Sequence, residues 1–118
     1  MAELRIQTRD GGVHYAPGET IEGIVSWNLD HVKSAALRLF WRTEGKGTQD
    51  IGLSAEMPFD QPRPADERAF RFTVPQGPWS YDGKLVAIVW ALELETEPGG
   101  QMESLELVVS PQQERVEA

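Results

Sequence analysis

The stretch "APGETIEGIVSW", residues 16–27, contains a tight turn followed at once by an alternating segment. Pro17 fixes φ near the value required at the second position of a type II turn, and Gly18 can adopt the positive φ required at the third. Beyond the turn, every second residue from Ile21 to Trp27 is apolar or glycine, and the intervening side chains point to the opposite side. The stretch therefore predicts a chain reversal that leads into a β-strand with one face in a core.

The same period-two pattern recurs along most of the chain. Further alternating segments occupy residues 3–7, 35–42, 51–53, 70–74, 86–94 and 105–109, and clusters of Gly, Pro and Asp separate many of them. The sequence contains no helical stripe of useful length. About seven short antiparallel strands predict an all-β fold in which two sheets stack as an immunoglobulin-like β-sandwich.

The length and composition fit a single globular domain. The chain has 118 residues, of which 40% are hydrophobic and 25% charged, and single-core units most often have about 100 to 150 residues. We expect one domain over residues 1–110 and a polar tail over 111–118. The amino terminus lacks the apolar core of a signal peptide, and the longest apolar run, residues 85–92, is far below the roughly 20 residues of a membrane-spanning helix. We therefore expect no export signal and no membrane insertion.

The charge balance and the cysteine content exclude several classes of function. The formal net charge of −8 opposes binding to nucleic acid and to anionic lipid surfaces. The chain contains no cysteine, so disulfides, thiolate metal sites and thiol catalysis are excluded, and a reducing cytoplasm is the expected location.

Three stretches carry a resemblance to a known family: "YAPGETIEGIVSW" at 15–27, "AALRLFWRTEGKGTQD" at 35–50 and "FRFTVPQGPWSYDGKLVAIVW" at 70–90. Together they resemble the amino-terminal half of the arrestin family, which has a Y-x-P-G-E turn, an F-x-F-x-x-P strand and a P-x-S-Y/F corner in this order. Arrestin-like proteins are two-domain β-sandwich adaptors that dock on other proteins. A chain of this length holds one such domain, so the resemblance is to stand-alone bacterial arrestin-like modules and implies the fold and a docking role.

No motif predicts catalysis or a cofactor. "TEGKGT", residues 43–48, has Gly47 where a phosphate-binding loop needs Ser or Thr after Lys46, so it predicts a hairpin turn. Ser80 lacks the strand-turn-helix context of a nucleophile. Two histidines, His14 and His31, with scattered carboxylates are too few for a zinc site. The remaining acidic motif is a flat strip rather than the cleft that glycosidases require, and it consists of Glu93, Glu95 and Glu97.

Two surfaces are candidates for binding. Trp79 and Tyr81, in the "PWSYDG" loop at 78–83, form a possible platform for a sugar or a peptide, unless one of the rings covers the open end of the core. The second surface comprises strand residues opposite the predicted core, with arginines at its rim. It consists of Ile24, Phe40, Leu85, Ala87, Val89, Ala91 and Val108, with Arg38, Arg42 and Arg71.

An apolar outer face of this kind suits self-association or docking of a partner protein. The alternatives are that a loop such as 57–65 covers it, or that a β-bulge exchanges the two faces. The sequence therefore predicts a non-catalytic protein-binding or scaffold module that acts through a sheet face or edge strand, alone or as a homo-oligomer, without metal or cofactor. The alternative function is a carbohydrate-binding or enzyme-accessory module that uses Trp79 and Tyr81.

Overall fold

A computed structural model of the chain describes residues 3–47 and 49–111. The described residues form nine β-strands and no helix, so the predicted all-β class is confirmed. Seven of the strands have six or more residues. The other two, β2 and β7, have only two residues each and were not predicted. The strands are β1 (Glu3–Thr8), β2 (His14–Tyr15), β3 (Thr20–Asn28), β4 (Ser34–Gly45), β5 (Ile51–Pro58), β6 (Ala65–Thr73), β7 (Tyr81–Asp82), β8 (Val86–Glu97) and β9 (Gln101–Val109).

The strands form two sheets that stack as a sandwich. The smaller sheet has the order β1-β3-β6, and the larger has the order β2-β9-β8-β4-β5, with β7 paired to β8. All pairs of long strands are antiparallel, as predicted, whereas the short β2 runs parallel to β9. Strand β4 continues to Gly45, so the reversal predicted to begin at Thr43 begins later.

The turn at residues 16–19 has the predicted geometry. The Glu19 N–H donates to the carbonyl of Ala16 over 3.0 Å, and Gly18 has φ of +88°. The Glu19 carboxylate also accepts a 2.7 Å hydrogen bond from the Ala16 N–H. Strand β3 follows with Ile21 buried at its start. The opening stretch is thus a structural turn that starts strand β3 of the core.

The core lies between the two sheets and includes a residue from the proline-bearing loop. Phe59 is buried with its ring centroid 5.9 Å from that of Trp27, and the Trp27 Nε1–H donates to the carbonyl of Arg63 over 2.6 Å. These contacts draw the loop towards the core rather than across the outer face of the larger sheet. The buried apolar residues are Tyr15, Ile21, Val25, Trp27, Ala35, Leu37, Leu39, Phe59, Phe70, Phe72, Val74, Trp90, Leu92, Leu94, Leu107 and Val109.

A buried carboxylate fixes the other end of the same loop. Burial by itself would raise the pKa of Asp66, but the carboxylate accepts hydrogen bonds from the Arg68 side chain, from the backbone N–H groups of Arg63 and Glu67, and from the Arg63 side chain. These bonds outweigh burial and hold the pKa of Asp66 well below its usual range. Asp66 therefore ties the loop to the start of β6.

Candidate protein-binding surfaces

The residues predicted to form one interface are divided between the two sheets. Arg38, Phe40 and Arg42 on β4 share the outer face of the larger sheet with Ala87 and Val89 on β8 and with Val108 on β9. Ile24 lies on β3 in the smaller sheet, so it does not share their face. The alternation gave the correct side of the strand, but it carries no information on which sheet the strand joins.

Ile24 lines a separate depression on the smaller sheet. The depression has a volume of about 650 Å³ and is lined in part by Ile24, Ala69 and Phe70. At its margin the Glu22 carboxylate lies 2.9 Å from Nη1 of Arg9 and 3.4 Å from Nε of Arg71. The predicted rim residue Arg71 therefore accompanies Ile24 and not the larger sheet.

The outer face of the larger sheet carries an apolar area that includes two residues absent from the predicted interface. Leu53 on β5 lies opposite Phe40, and Ile51 lies opposite Arg42, which in turn pairs with Val89. Ile51 and Leu53 are 73% and 58% exposed. We call Phe40, Ile51, Leu53 and Val89 the outer patch. Ala91, which lies opposite Phe40 on the neighbouring strand β8, is fully buried beneath the outer patch.

Strand β5 forms a free edge beside the outer patch. It pairs with β4 on one side, and within residues 3–47 and 49–111 no strand pairs with its other side. On the inner side the indole of Trp41 lies so close to Gly52 that a Cβ at that position would overlap the ring. An unpaired edge presents backbone N–H and C=O groups to which a further strand can bind.

Arg38 is held within the sheet face by three carboxylates from two neighbouring strands. Its Nη1 lies 2.7 Å from Glu95 and 3.6 Å from Glu93, and its Nε lies 3.0 Å from Glu56. The hydrogen bond to Glu95 is the main cause of the raised pKa of Arg38. The acidic strip predicted from Glu93 and Glu95 is therefore partly neutralised and bounds the outer patch on one side.

Arg42 is also engaged within the face rather than free at a rim. Its Nη2 lies 2.7 Å from Glu44 on the same strand and 3.2 Å from Glu106 on β9. Because the two predicted rim arginines on this sheet, Arg38 and Arg42, already have acidic partners, the outer patch presents apolar side chains beside internal ion pairs.

The loop before β8 exposes both of its aromatic rings. Trp79 is 52% and Tyr81 58% exposed, so the alternative in which one of these rings covers the open end of the core is wrong. The Trp79 Nε1–H donates to the carbonyl of Gln76 over 3.0 Å, and the Tyr81 ring lies against Gly83. Both rings are therefore presented outward. Together with the exposed Leu85 and Val86 they form a group that we call the end cluster.

The backbone of this loop is anchored to the core. The Ser80 N–H donates to the carbonyl of Val109 over 2.8 Å, and the Val109 N–H donates to the Ser80 Oγ over 2.9 Å. The buried Trp90 donates from Nε1 to the carbonyl of Pro78 over 2.8 Å. Ser80 therefore has a structural role, and Trp90 is the ring that packs beneath the loop.

The described residues contain no cluster of metal-ligating side chains. They contain no group of three or more His, Asp or Glu side chains placed to hold a metal ion. His14 lies on β2, and His31 is an exposed residue between β3 and β4. Residues 43–47 of the "TEGKGT" stretch form the end of β4 and the start of the turn towards β5, with positive φ at Gly45 and Gly47. In this part of the chain there is also no helix with the length and hydropathy needed to cross a bilayer.

Ile51 and Leu53 are the patch residues that sequence reasoning missed. A hairpin between β4 and β5 was predicted, and placing the two strands in antiparallel register would have brought Ile51 and Leu53 beside Arg42 and Phe40. The signal was therefore present in the alternation of "IGL", residues 51–53, but it requires the register of the hairpin.

Comparison with known proteins identifies the fold. No protein-family model matches the chain, and no curated protein matches its sequence. Among solved structures it is similar to Spo0M, a sporulation control protein from Bacillus subtilis, with a TM-score of 0.65 and 19% identity over 92% of this chain and 49% of the Spo0M chain. The chain thus spans about half the length of Spo0M. This likeness supports an arrestin-like fold.

Other similar structures are more distant. A β-glucosidase from Listeria innocua in complex with gluconolactone matches with a TM-score of 0.49 and 14% identity, over 92% of this chain and 16% of the enzyme. Its D270A mutant in complex with laminaribiose gives a TM-score of 0.48 at the same identity and coverage. At TM-scores below 0.5 these matches carry no argument about function.

Proposed function

We propose that the chain is a non-catalytic protein-binding module that docks a partner through the outer patch and the free edge of β5. The observation that carries this proposal is the exposure of Ile51 and Leu53 on the edge strand β5. Exposed apolar area beside unpaired backbone groups is the arrangement used in β-strand addition, where main-chain hydrogen bonds supply affinity and side-chain contacts supply specificity.

The surroundings of the patch favour a protein partner over a charged ligand. Arg38 and Arg42 are occupied by carboxylates of the same sheet, so neither is free to bind a phosphate or a carboxylate. Apolar side chains beside charged groups are also the usual anatomy of a protein interface.

A regulatory, adaptor-like role in a bacterial cytoplasm belongs to the same proposal. Spo0M, which shares the fold, is a sporulation control protein from Bacillus subtilis, and this supports regulation rather than chemistry as the task of the present chain. The absence of cysteine fits a reducing compartment.

The experiment compares two glutamate variants as baits in a native cell extract. Leu53→Glu places a charge in the outer patch, whereas Met102→Glu alters a residue of equal exposure, 57%, at the far end of the same face. We expect the wild type and Met102→Glu to retain the same protein, and Leu53→Glu to retain about tenfold less of it. Equal retention by both variants would show that the outer patch is not the docking surface.

Carbohydrate binding is the second candidate, because both Trp79 and Tyr81 present exposed rings on an anchored loop. Aromatic faces of this kind stack on sugar rings. Titration of the chain with oligosaccharides, followed by tryptophan fluorescence, tests this candidate. A saturable change that Trp79→Ala abolishes supports it, and an unchanged spectrum at high sugar concentration excludes it.

A further inference from the structure

The exposed apolar side chains of the described residues are unevenly distributed. At one end of the larger sheet, strands β5 and β8 begin and strand β9 ends. That end carries the four residues of the end cluster together with Val13, Ile51 and Val108, whereas Met102 lies at the opposite end. The sandwich therefore has one apolar end and one predominantly polar end.

We infer that the end cluster is the surface through which two copies of this chain pair. This inference goes beyond the proposed function, because the end cluster is a different surface from the outer patch. A two-fold contact uses the same patch on both copies, so the patch must be complementary to itself. The charges around the end cluster meet this requirement.

Charges of both signs surround the end cluster. The hairpin tip lies against it, since the Lys46 N–H donates to the carbonyl of Leu85 over 3.2 Å. Lys46 and Lys84 make no ion pair with any described residue, and Asp82 is equally free. Lys46, Lys84 and Asp82 therefore remain available, and a two-fold contact allows a lysine of one copy to face Asp82 of the other. The pairing thus avoids the like-charge contact that the net charge of −8 would otherwise impose.

The area available is sufficient for a modest dimer. Trp79 and Tyr81 are each about half exposed and Leu85 is 71% exposed. Large side chains have on the order of 150 to 200 Å² to bury, so these three offer on the order of 300 Å² of exposed apolar surface. With Val86 and the charged margin this suits a weak interface, which buries less than about 1,200 Å² in total. Tryptophan and tyrosine, the two aromatic residues of the end cluster, are also among the residue types that most often dominate binding energy.

The test is sedimentation velocity of the full chain from low micromolar to submillimolar concentration. We expect the mass of the 13.2 kDa chain to approach that of a dimer as concentration rises. Leu85→Glu and, separately, Trp79→Ala should each raise the dissociation constant about tenfold or more. Met102→Glu, equally exposed at the other end, should leave it unchanged. Circular dichroism of each variant confirms that it is folded.

Three results would overturn the inference. The first is a monomer over the whole concentration range. The second is a dimer that Leu85→Glu and Trp79→Ala leave intact although both variants are folded. The third is a dimer that Leu53→Glu dissociates while Leu85→Glu does not, which would move self-association to the outer patch and leave the proposed docking role in place.

Discussion

Leu53 lies directly opposite Phe40 on the outer face of the larger sheet, immediately after a shift in the β4–β5 register. Leu39 pairs with Ala55, but the next residue, Phe40, pairs with Leu53, so Ser54 is the extra residue of the bulge. Without the shift, Ser54 would stand beside Phe40. The bulge therefore replaces a polar neighbour by an apolar one and creates the exposed part of the outer patch.

The exposure of Leu53 means that it can be changed without loss of the fold. We expect Leu53→Glu to alter the free energy of unfolding by no more than about 0.5 kcal/mol, as is usual for surface substitutions. By contrast, Leu37→Ala removes a fully buried side chain from the core and should cost about 2 to 5 kcal/mol. Urea denaturation followed by circular dichroism measures both. A large loss of stability in Leu53→Glu would mean that the side chain is packed and not available to a partner.

Arg38 joins β5, β4 and β8 through three carboxylates, and its removal leaves those carboxylates facing one another. We expect Arg38→Met to lower the free energy of unfolding by about 1 kcal/mol or somewhat more, because a network of ion pairs stabilises a protein more than an isolated exposed pair does. Salt screens ion pairs, so this loss of stability should be smaller in high salt. Arg5→Met is the matched control, since Arg5 pairs with Glu3 alone at an exposed position. Equal, salt-independent losses in the two variants would contradict a special role for the Arg38 network.

Asp66 makes stability depend on pH in a defined direction. Because the folded state holds the pKa of Asp66 below its value in the unfolded chain, near 4, the carboxylate stabilises the protein above that pH and loses this effect as the pH falls through the acidic range. We expect Asp66→Asn to be less stable than the wild type by about 2 kcal/mol at neutral pH.

Denaturation at a series of pH values from neutral to strongly acidic provides the measurement. The difference in free energy of unfolding between wild type and Asp66→Asn should become smaller as the pH falls below about 4. A difference that stays constant over the series would show that the carboxylate is not the source of the effect.

Thr96 is fully buried, and its Oγ1 has no hydrogen-bond partner among the described residues. Burying a hydroxyl without a partner costs about 1 to 3 kcal/mol, and valine has nearly the same shape. We expect Thr96→Val to raise the free energy of unfolding by about 1 kcal/mol, measured as an increase in Tm of several degrees. Thr73→Val, at an exposed position of β6, should have little effect. A Thr96→Val protein less stable than the wild type would indicate that the hydroxyl is satisfied.

The sequence was sufficient for the strands because side-chain alternation is a local property. The segments at residues 3–7, 35–42, 51–53, 70–74, 86–94 and 105–109 all lie in or at the end of observed strands, and the Pro17–Gly18 turn has its predicted form. The inward residues, such as Val25 and Leu37, are fully buried. The two-residue strands β2 and β7 carry no alternation that could reveal them.

The candidate surfaces depend on contacts between distant parts of the chain, which the sequence does not encode locally. Ile24 has the correct orientation, but its strand pairs with β1 and β6 in the other sheet. Leu53 joins the patch only through the register shift at Ser54. The exposure of Tyr81 and Trp79 follows from the contacts that Trp90 and Val109 make with the backbone of their loop. The predicted tail lies, beyond Pro111, outside the described residues.

The most direct test of the docking proposal is hydrogen–deuterium exchange of the chain with and without the protein that the wild type and Met102→Glu capture. We predict that backbone amides of residues 51–57 in β5 become protected in the complex, because a bound strand would satisfy the free edge of β5. Protection confined to the smaller sheet or to residues 77–85, with β5 exchanging as in the free chain, would contradict the proposal.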